Sequence, residues 1–183
     1  YGIPKRTYFN PYENGVWALD ISVDGRYLVT ISNDNHQSIS LWDLHNEDLN
    51  EPFITTPFKY CKDDKQTLVK FNPSNIYEMV WHGAEHLAFL SWSEDSDNIE
   101  YYLPVISSSS FSKKEKANTA LTSTVFIPES TKAVSSTSWG DLLVWDISLI
   151  IDGMANNDEK RLTKVLELHE DNHRPALFLF VPH

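Results

Sequence analysis

The five residues His82-Gly83-Ala84-Glu85-His86 hold the one arrangement in this chain that could do chemistry by itself. Their order, His-x-x-Glu-His, is that of an inverted zinc-hydrolase signature. In that signature two imidazoles on one helix face hold a metal, and the carboxylate between them polarises a water. Such chemistry needs a helix and a third ligand. The surroundings offer neither: the motif lies between two β-rich runs, Gly83 weakens any helix, and no third ligand is marked. We therefore read His82, Glu85 and His86 as polar residues of a loop joining two strands. No metal, cofactor-binding or catalytic residue is assigned.

Other patterns fall away sooner. Ser107 to Ser110, followed by Lys113, Lys114 and Lys116, reads as a solvated connection. Cys61 beside Lys62 is a lone cysteine in a lysine- and aspartate-rich linker and reads as inert. No glycine-rich phosphate loop, Gly-x-Ser-x-Gly or Cys-x-x-Cys occurs. Lys5 and Arg6 lie among Tyr8, Phe9 and Tyr12, which we read as packing, not base stacking.

The elements that must position these loops come from a chain of 183 residues, enough for one sizeable core. A net charge of −11 opposes binding to phosphate backbones or anionic lipid, so neither nucleic acid nor membrane is an expected partner. A single cysteine permits no intrachain disulfide, which leans towards a reducing compartment. The chain starts at Tyr1 rather than Met and stops just after an apolar run, as a window on a longer polypeptide would.

Three segments align, starting at Gly15, Gln66 and Ala120. Each opens on an alternating run: Val16, Leu19 and Ile21; Leu68 and Phe71; Leu121, Val125 and Ile127. A turn follows at Asp24-Gly25, at Asn72 to Asn75, or at Pro128 to Ser130, all built from residues that accept turn dihedrals. Second strands are predicted over Tyr27–Ile31, Tyr77–Trp81 and Lys132–Ser136. Third strands end at Trp42, Trp92 and Trp145, about fifty and fifty-three residues apart. Fourth strands fit Pro52–Phe58, Ile99–Ile106 and Leu162–Leu168. Arg6–Phe9 is expected to be the last strand of a preceding unit, within 1–14. Ala176–Val181 is expected to open the next one, within 175–183. A short helix fits only 149–161, inside an insertion.

The Trp42-Asp43 and Trp145-Asp146 pairs, with Trp92-Ser93 in phase between them, resemble the WD40-repeat family. That resemblance implies an all-β propeller with blades at 15–58, 66–106 and 120–168. The chain departs from the family pattern. No Gly-His dipeptide precedes a first strand, and the loop aspartate before the third strand is replaced by Trp139 in one copy and displaced to Asp34 in another. The hydrogen-bond network of typical repeats is therefore incomplete, leaving more to packing. Three blades cannot close a ring of roughly four to eight, so the isolated segment is expected to be poorly soluble or molten.

The runs NGVWALDISVDGRYLVTIS, VKFNPSNIYEMV and GDLLVWDI also resemble, in order and spacing, the cilia- and flagella-associated WD-repeat members of the calmodulin- and spoke-associated complex. This implies a non-catalytic axonemal scaffold at the base of a radial spoke. Its partners would be radial spoke subunits, calmodulin-associated subunits and proteins on doublet microtubules. A general WD40 adaptor in a cytoplasmic or nuclear complex is the alternative, and a zinc hydrolase the remote one. A propeller offers its loops to partners. Here those loops hold Asp34, His36, His82, Glu85, Trp139 and Asp141. Trp139 is either a binding hot spot or a cover for the sheet edge.

Overall fold

The turn residues set the hairpins. Gly25, at φ +71°, lets the chain reverse where a side chain would be strained, and the Ser22 hydroxyl donates to Asp24 Oδ1 at 2.5 Å beside it. Gly140, at φ +85°, does the same between a later pair of strands. The computed structural model describes residues 2, 6–59, 63–112, 119–147 and 159–168. Cys61, the lysines at 113, 114 and 116, most of the expected helix at 149–161, and Ala176–Val181 lie outside the described residues.

Within them the chain forms three four-stranded antiparallel sheets. The first is β1 (Val16–Ile21), β2 (Tyr27–Ser32), β3 (Ser38–Asp43) and β4 (Ile54–Pro57). The second is β5 (Leu68–Asn72), β6 (Asn75–His82), β7 (Leu87–Ser91) and β8 (Glu100–Tyr102). The third is β9 (Leu121–Phe126), β10 (Ala133–Thr137), β11 (Leu142–Ile147) and β12 (Lys160–Leu166). Each sheet is a meander whose first strand lies at one edge and fourth at the other.

Two apolar clusters seal the sheets to one another. Val29, Ile31, Ile39 and Leu41 of the first sheet meet Phe71, Met79, Trp81 and Leu90 of the second. Val80, Leu87 and Phe89, from the opposite face of the second sheet, meet Phe126, Ala133, Leu143 and Trp145 of the third. A sheet covered on both sides has no polar face, which is why Met79-Val80-Trp81 of β6 and Leu87–Leu90 of β7 read as unbroken apolar runs. Each fully buried side chain of this size contributes about 1.5–3 kcal/mol.

The repeated tryptophans sit at different depths in their third strands. Trp42 Nε1 donates to Thr30 Oγ1 at 3.0 Å, and Trp145 Nε1 to Ser135 Oγ at 2.8 Å. In both, a hydroxyl on the adjoining second strand satisfies the buried indole. Trp92 falls just beyond β7 and donates to the Ile76 carbonyl at 2.9 Å. It also packs edge-on against Tyr27 of the first sheet, with ring centroids 4.8 Å apart.

Two features mark the open side of the first sheet. Residues 6–9 pair with no described strand. Arg6 is turned towards the 44–50 loop, where its Nε donates to Asn50 Oδ1 at 3.1 Å and a second nitrogen to the Leu49 carbonyl. Tyr8 stacks edge-on against Trp42, and the Tyr12 hydroxyl lies 2.7 Å from Thr30 Oγ1. The segment thus lies across the face of the first sheet turned away from the second. Secondly, the apolar residues Leu19 and Ile21 of β1 point away from the second sheet and are exposed, 57% and 50%. Ala18 and Asp20 face the core instead. By strand register Ile21 matches Phe71 and Phe126, both buried against the preceding sheet.

Polar contacts pin the sheets near their inner strands. Asp20 receives the Phe71 N–H at 2.9 Å and the Lys70 ammonium at 2.9 Å. Gln37 Oε1 accepts from Gln66 N at 2.7 Å, while its amide nitrogen donates to the carbonyls of Ser32 and Gln66. Between the second and third sheets, Leu121 N donates to the Ala84 carbonyl, and Lys160, almost fully buried, pairs with Glu78.

Candidate interaction surface

The β2–β3, β6–β7 and β10–β11 connections emerge at one end of the three sheets, together with the lead-ins to β5 and β9. His82-Gly83-Ala84-Glu85-His86 is the β6–β7 turn, so its histidines do not share a helix face. Asp64, from the lead-in to β5, lies beneath it and is buried. Its Oδ1 accepts from Ala84 N at 2.8 Å, and its Oδ2 from Glu85 N at 3.0 Å and His86 N at 2.7 Å. The His86 ring nitrogen Nδ1 stands 3.1 Å from the same Oδ2. A side chain at Gly83 would place its Cβ 2.5 Å from Asp64 Oδ1 and 2.6 Å from the Lys65 carbonyl, so only glycine fits.

His82 is buried, with Nδ1 at 2.7 Å from the Gly83 carbonyl, and burial pulls its pKa below the usual imidazole value. Among the described residues no cluster of three His, Cys, Asp or Glu side chains is placed to hold a metal ion. Glu85 is exposed, and the motif acts as a turn tied down by one carboxylate.

The other expected contact residues separate. His36 is exposed, and Asp34 accepts from Asn14 N at 2.8 Å and Asn14 Nδ2 at 3.1 Å. Trp139 is half-buried in the β10–β11 turn. Asp141 is fully buried, and its N–H donates to Thr137 Oγ1 at 3.2 Å. His82 and Asp141 are therefore corrected from rim to interior, because each sits at a strand end covered by its own hairpin.

The sequence reading missed one open aromatic residue at this end. Trp17 is 47% exposed, at a β-bulge between Val16 and Ala18. A bulge re-aims one side chain out of the alternation. The Lys65 ammonium lies 5.5 Å from the centre of its ring and 3.2 Å from Asn33 Oδ1. A flat aromatic face propped by a cation suits protein recognition.

At the opposite end, the aspartates of the Trp-Asp pairs cap loops. Asp43 Oδ1 accepts from His45 N at 2.8 Å, and Asp146 Oδ1 from the Thr131 hydroxyl at 2.5 Å. Arg26 bridges Asp43 at 3.3 Å and Glu94 at 3.1 Å, linking the first two sheets. The Tyr27 hydroxyl donates to Glu94 Oε1 at 2.6 Å. Burial, then this bond, pushes the Tyr27 phenol well up. The same hydroxyl, then Arg26, holds the Glu94 carboxyl below its usual range.

Three meandering sheets packed face to face through their inner strands define a partial β-propeller of the WD40 class. The fold is shared with the crystal structure of the Myceliophteria thermophila Cps50 (Swd1) beta-propeller domain, at a TM-score of 0.55 and 18% identity over 72% of this chain and 38% of that one. A chain of the crystal structure of the Mitotic Checkpoint Complex aligns at a TM-score of 0.53 and 16% identity, covering 85% of this chain and 40% of that one. The family described as the CFAP251 N-terminal domain matches residues 1–179, and the chain belongs to it. Cilia- and flagella-associated protein 251 of Tetrahymena thermophila is 37% identical over 95% of this chain, and that of Chlamydomonas reinhardtii 29% identical over 92%. The chain spans 17% and 22% of the length of those two relatives.

Proposed function

We propose that this segment is a non-catalytic scaffold of the ciliary axoneme, one part of a calmodulin- and spoke-associated complex at the base of a radial spoke. The observation that carries the reading is the contrast within the end bearing the β6–β7 turn. The one motif with catalytic form is a backbone turn clasped by Asp64, whereas Trp17 stands open beside Lys65 and Asn33. Partners would be spoke and calmodulin-associated subunits or proteins bound to doublet microtubules. The ciliary names of the relatives support the setting.

Detergent extraction of cilia from cells carrying the tagged full-length protein tests this. A scaffold stays with the axoneme, and Trp17→Ala shifts a measurable share to the soluble fraction. Complete extraction of the unmodified protein would mark a soluble adaptor and end the axonemal reading.

A further inference from the structure

The outer edges of the three sheets are not alike. β4 has four residues and ends in Pro57, β8 has three, and β12 has seven. A proline lacks the N–H of a ladder, and a three-residue edge makes few bonds, so the first two are poor templates for another strand. β12 is the outermost strand of its sheet and pairs with β11 alone among the described residues. The Lys160 N–H goes to the Tyr102 hydroxyl at 2.5 Å. Past that point no described residue supplies a backbone bond to the outer side of β12.

Beside the first half of β12 runs a cleft of about 490 Å³, closed on its far side by the 103–110 connection. Its apolar wall includes Leu103, Pro104, Val105 and Leu162, and Val105 is 82% exposed. The free charges on β12 itself are positive, between Glu159 at the cleft and Glu167, which accepts from Ser112 N. The chain carries −11, yet Arg161 and Lys164 are exposed on β12, and neither has an ion-pair partner among the described residues. Like charges facing one another disfavour pairing of β12 with a second copy of itself, whereas carboxylates are attracted.

We propose that β12 accepts an extended, acidic segment of a partner protein as a fifth strand of the third sheet. Backbone bonds supply the affinity, alternate apolar side chains enter the cleft at Val105 and Leu162, and carboxylates meet Arg161 and Lys164. This edge lies apart from Trp17, so the two surfaces fail or succeed separately.

The test is fluorescence anisotropy of a fluorescein-labelled seven-residue peptide of alternating glutamate and valine, titrated with the full-length protein. Saturable binding is expected, weakening as salt rises. N-methylation of alternate peptide nitrogens, which removes ladder donors without touching the protein, is expected to weaken it by about tenfold or more. Charge reversal with Arg161→Glu and Lys164→Glu is expected to do the same, while Trp17→Ala leaves binding unchanged. Absence of saturable binding, or equal binding by the N-methylated peptide, overturns the proposal. So does equal binding by the charge-reversed protein, or by a lysine–valine peptide.

Discussion

The carboxylate of Asp64 lies 2.7 Å from the backbone nitrogen of His86, across twenty-two positions of chain, and the same group also receives the N–H groups of Ala84 and Glu85. A side chain from the lead-in to the second sheet thus holds the hairpin that leads on to the third, through the Ala84 carbonyl bond to Leu121. Asp64→Ala leaves three part-buried backbone donors without their charged acceptor. Amide hydrogen exchange at Ala84, Glu85 and His86 is expected to accelerate by at least about tenfold. Unchanged exchange would show that water replaces the carboxylate without loss.

Gly83→Ala tests the same clasp from the other side, because the added methyl meets both Asp64 oxygens and the Lys65 carbonyl at 2.5–2.6 Å. Destabilisation of about 1–3 kcal/mol is expected from overpacking. The double variant Gly83→Ala, Asp64→Ala should cost less than the sum of the two singles, as a denaturation cycle would report.

His82 makes stability depend on pH in a defined direction. Its folded pKa lies below the ordinary value of about 6.5, so the unfolded chain binds the proton more readily. The contribution is complete above about pH 6.5 and falls as acidity rises towards the depressed folded pKa. His82→Asn keeps a donor near the Gly83 carbonyl but cannot titrate. The variant should show a flatter unfolding midpoint between about pH 6.5 and 5 than the unmodified protein.

At the opposite end, Tyr27→Phe keeps the ring against Trp92 and removes the hydroxyl that Glu94 accepts at 2.6 Å. The Glu94 carboxyl should then rise towards the usual glutamate range, read by carboxyl-carbon NMR titration. An unmoved titration would assign its depression to Arg26 and the Tyr77 hydroxyl.

The tryptophans divide by role. Trp145 is fully buried and bonded to Ser135, so Trp145→Ala is expected to cost about 3–5 kcal/mol and to lower cellular abundance. Trp17→Ala removes an exposed ring and should change stability by less than about 0.5 kcal/mol while weakening partner binding. Thermal melts beside axoneme retention separate the two effects.

The strands were legible in the sequence because turn residues such as Asp24-Gly25 and the recurrent tryptophans mark the ends of short apolar runs. Which side of β1 meets its neighbour was not. When sheets are stacked on both faces, either set of alternate residues can be apolar, and Leu19 and Ile21 gave no hint that Ala18 and Asp20 face the core. Asp64 was missed because its main partners are the backbone N–H groups of Ala84, Glu85 and His86, which carry no side-chain signature. Its only trace was a glycine inside the later turn. Trp17 was missed because the bulge that turns it outward is a property of strand register, not of residue type. The placements of His82 and Asp141 on the rim failed for a related reason. Both are polar and close a strand, and such residues look solvent-facing until the hairpin above them is known.

The middle sheet lends alternate side chains to two clusters at once, Met79 and Trp81 to one side, Val80 and Phe89 to the other. A change of size at any of these positions is therefore felt by one neighbour through contact and by the other through the shared backbone. Lineages that drift at Val80 or Phe89 should carry matching changes at Phe126 or Leu143, and those that drift at Met79 should answer at Val29 or Ile31. The central wedge behaves as a keystone, whose inheritance is tied to both flanks.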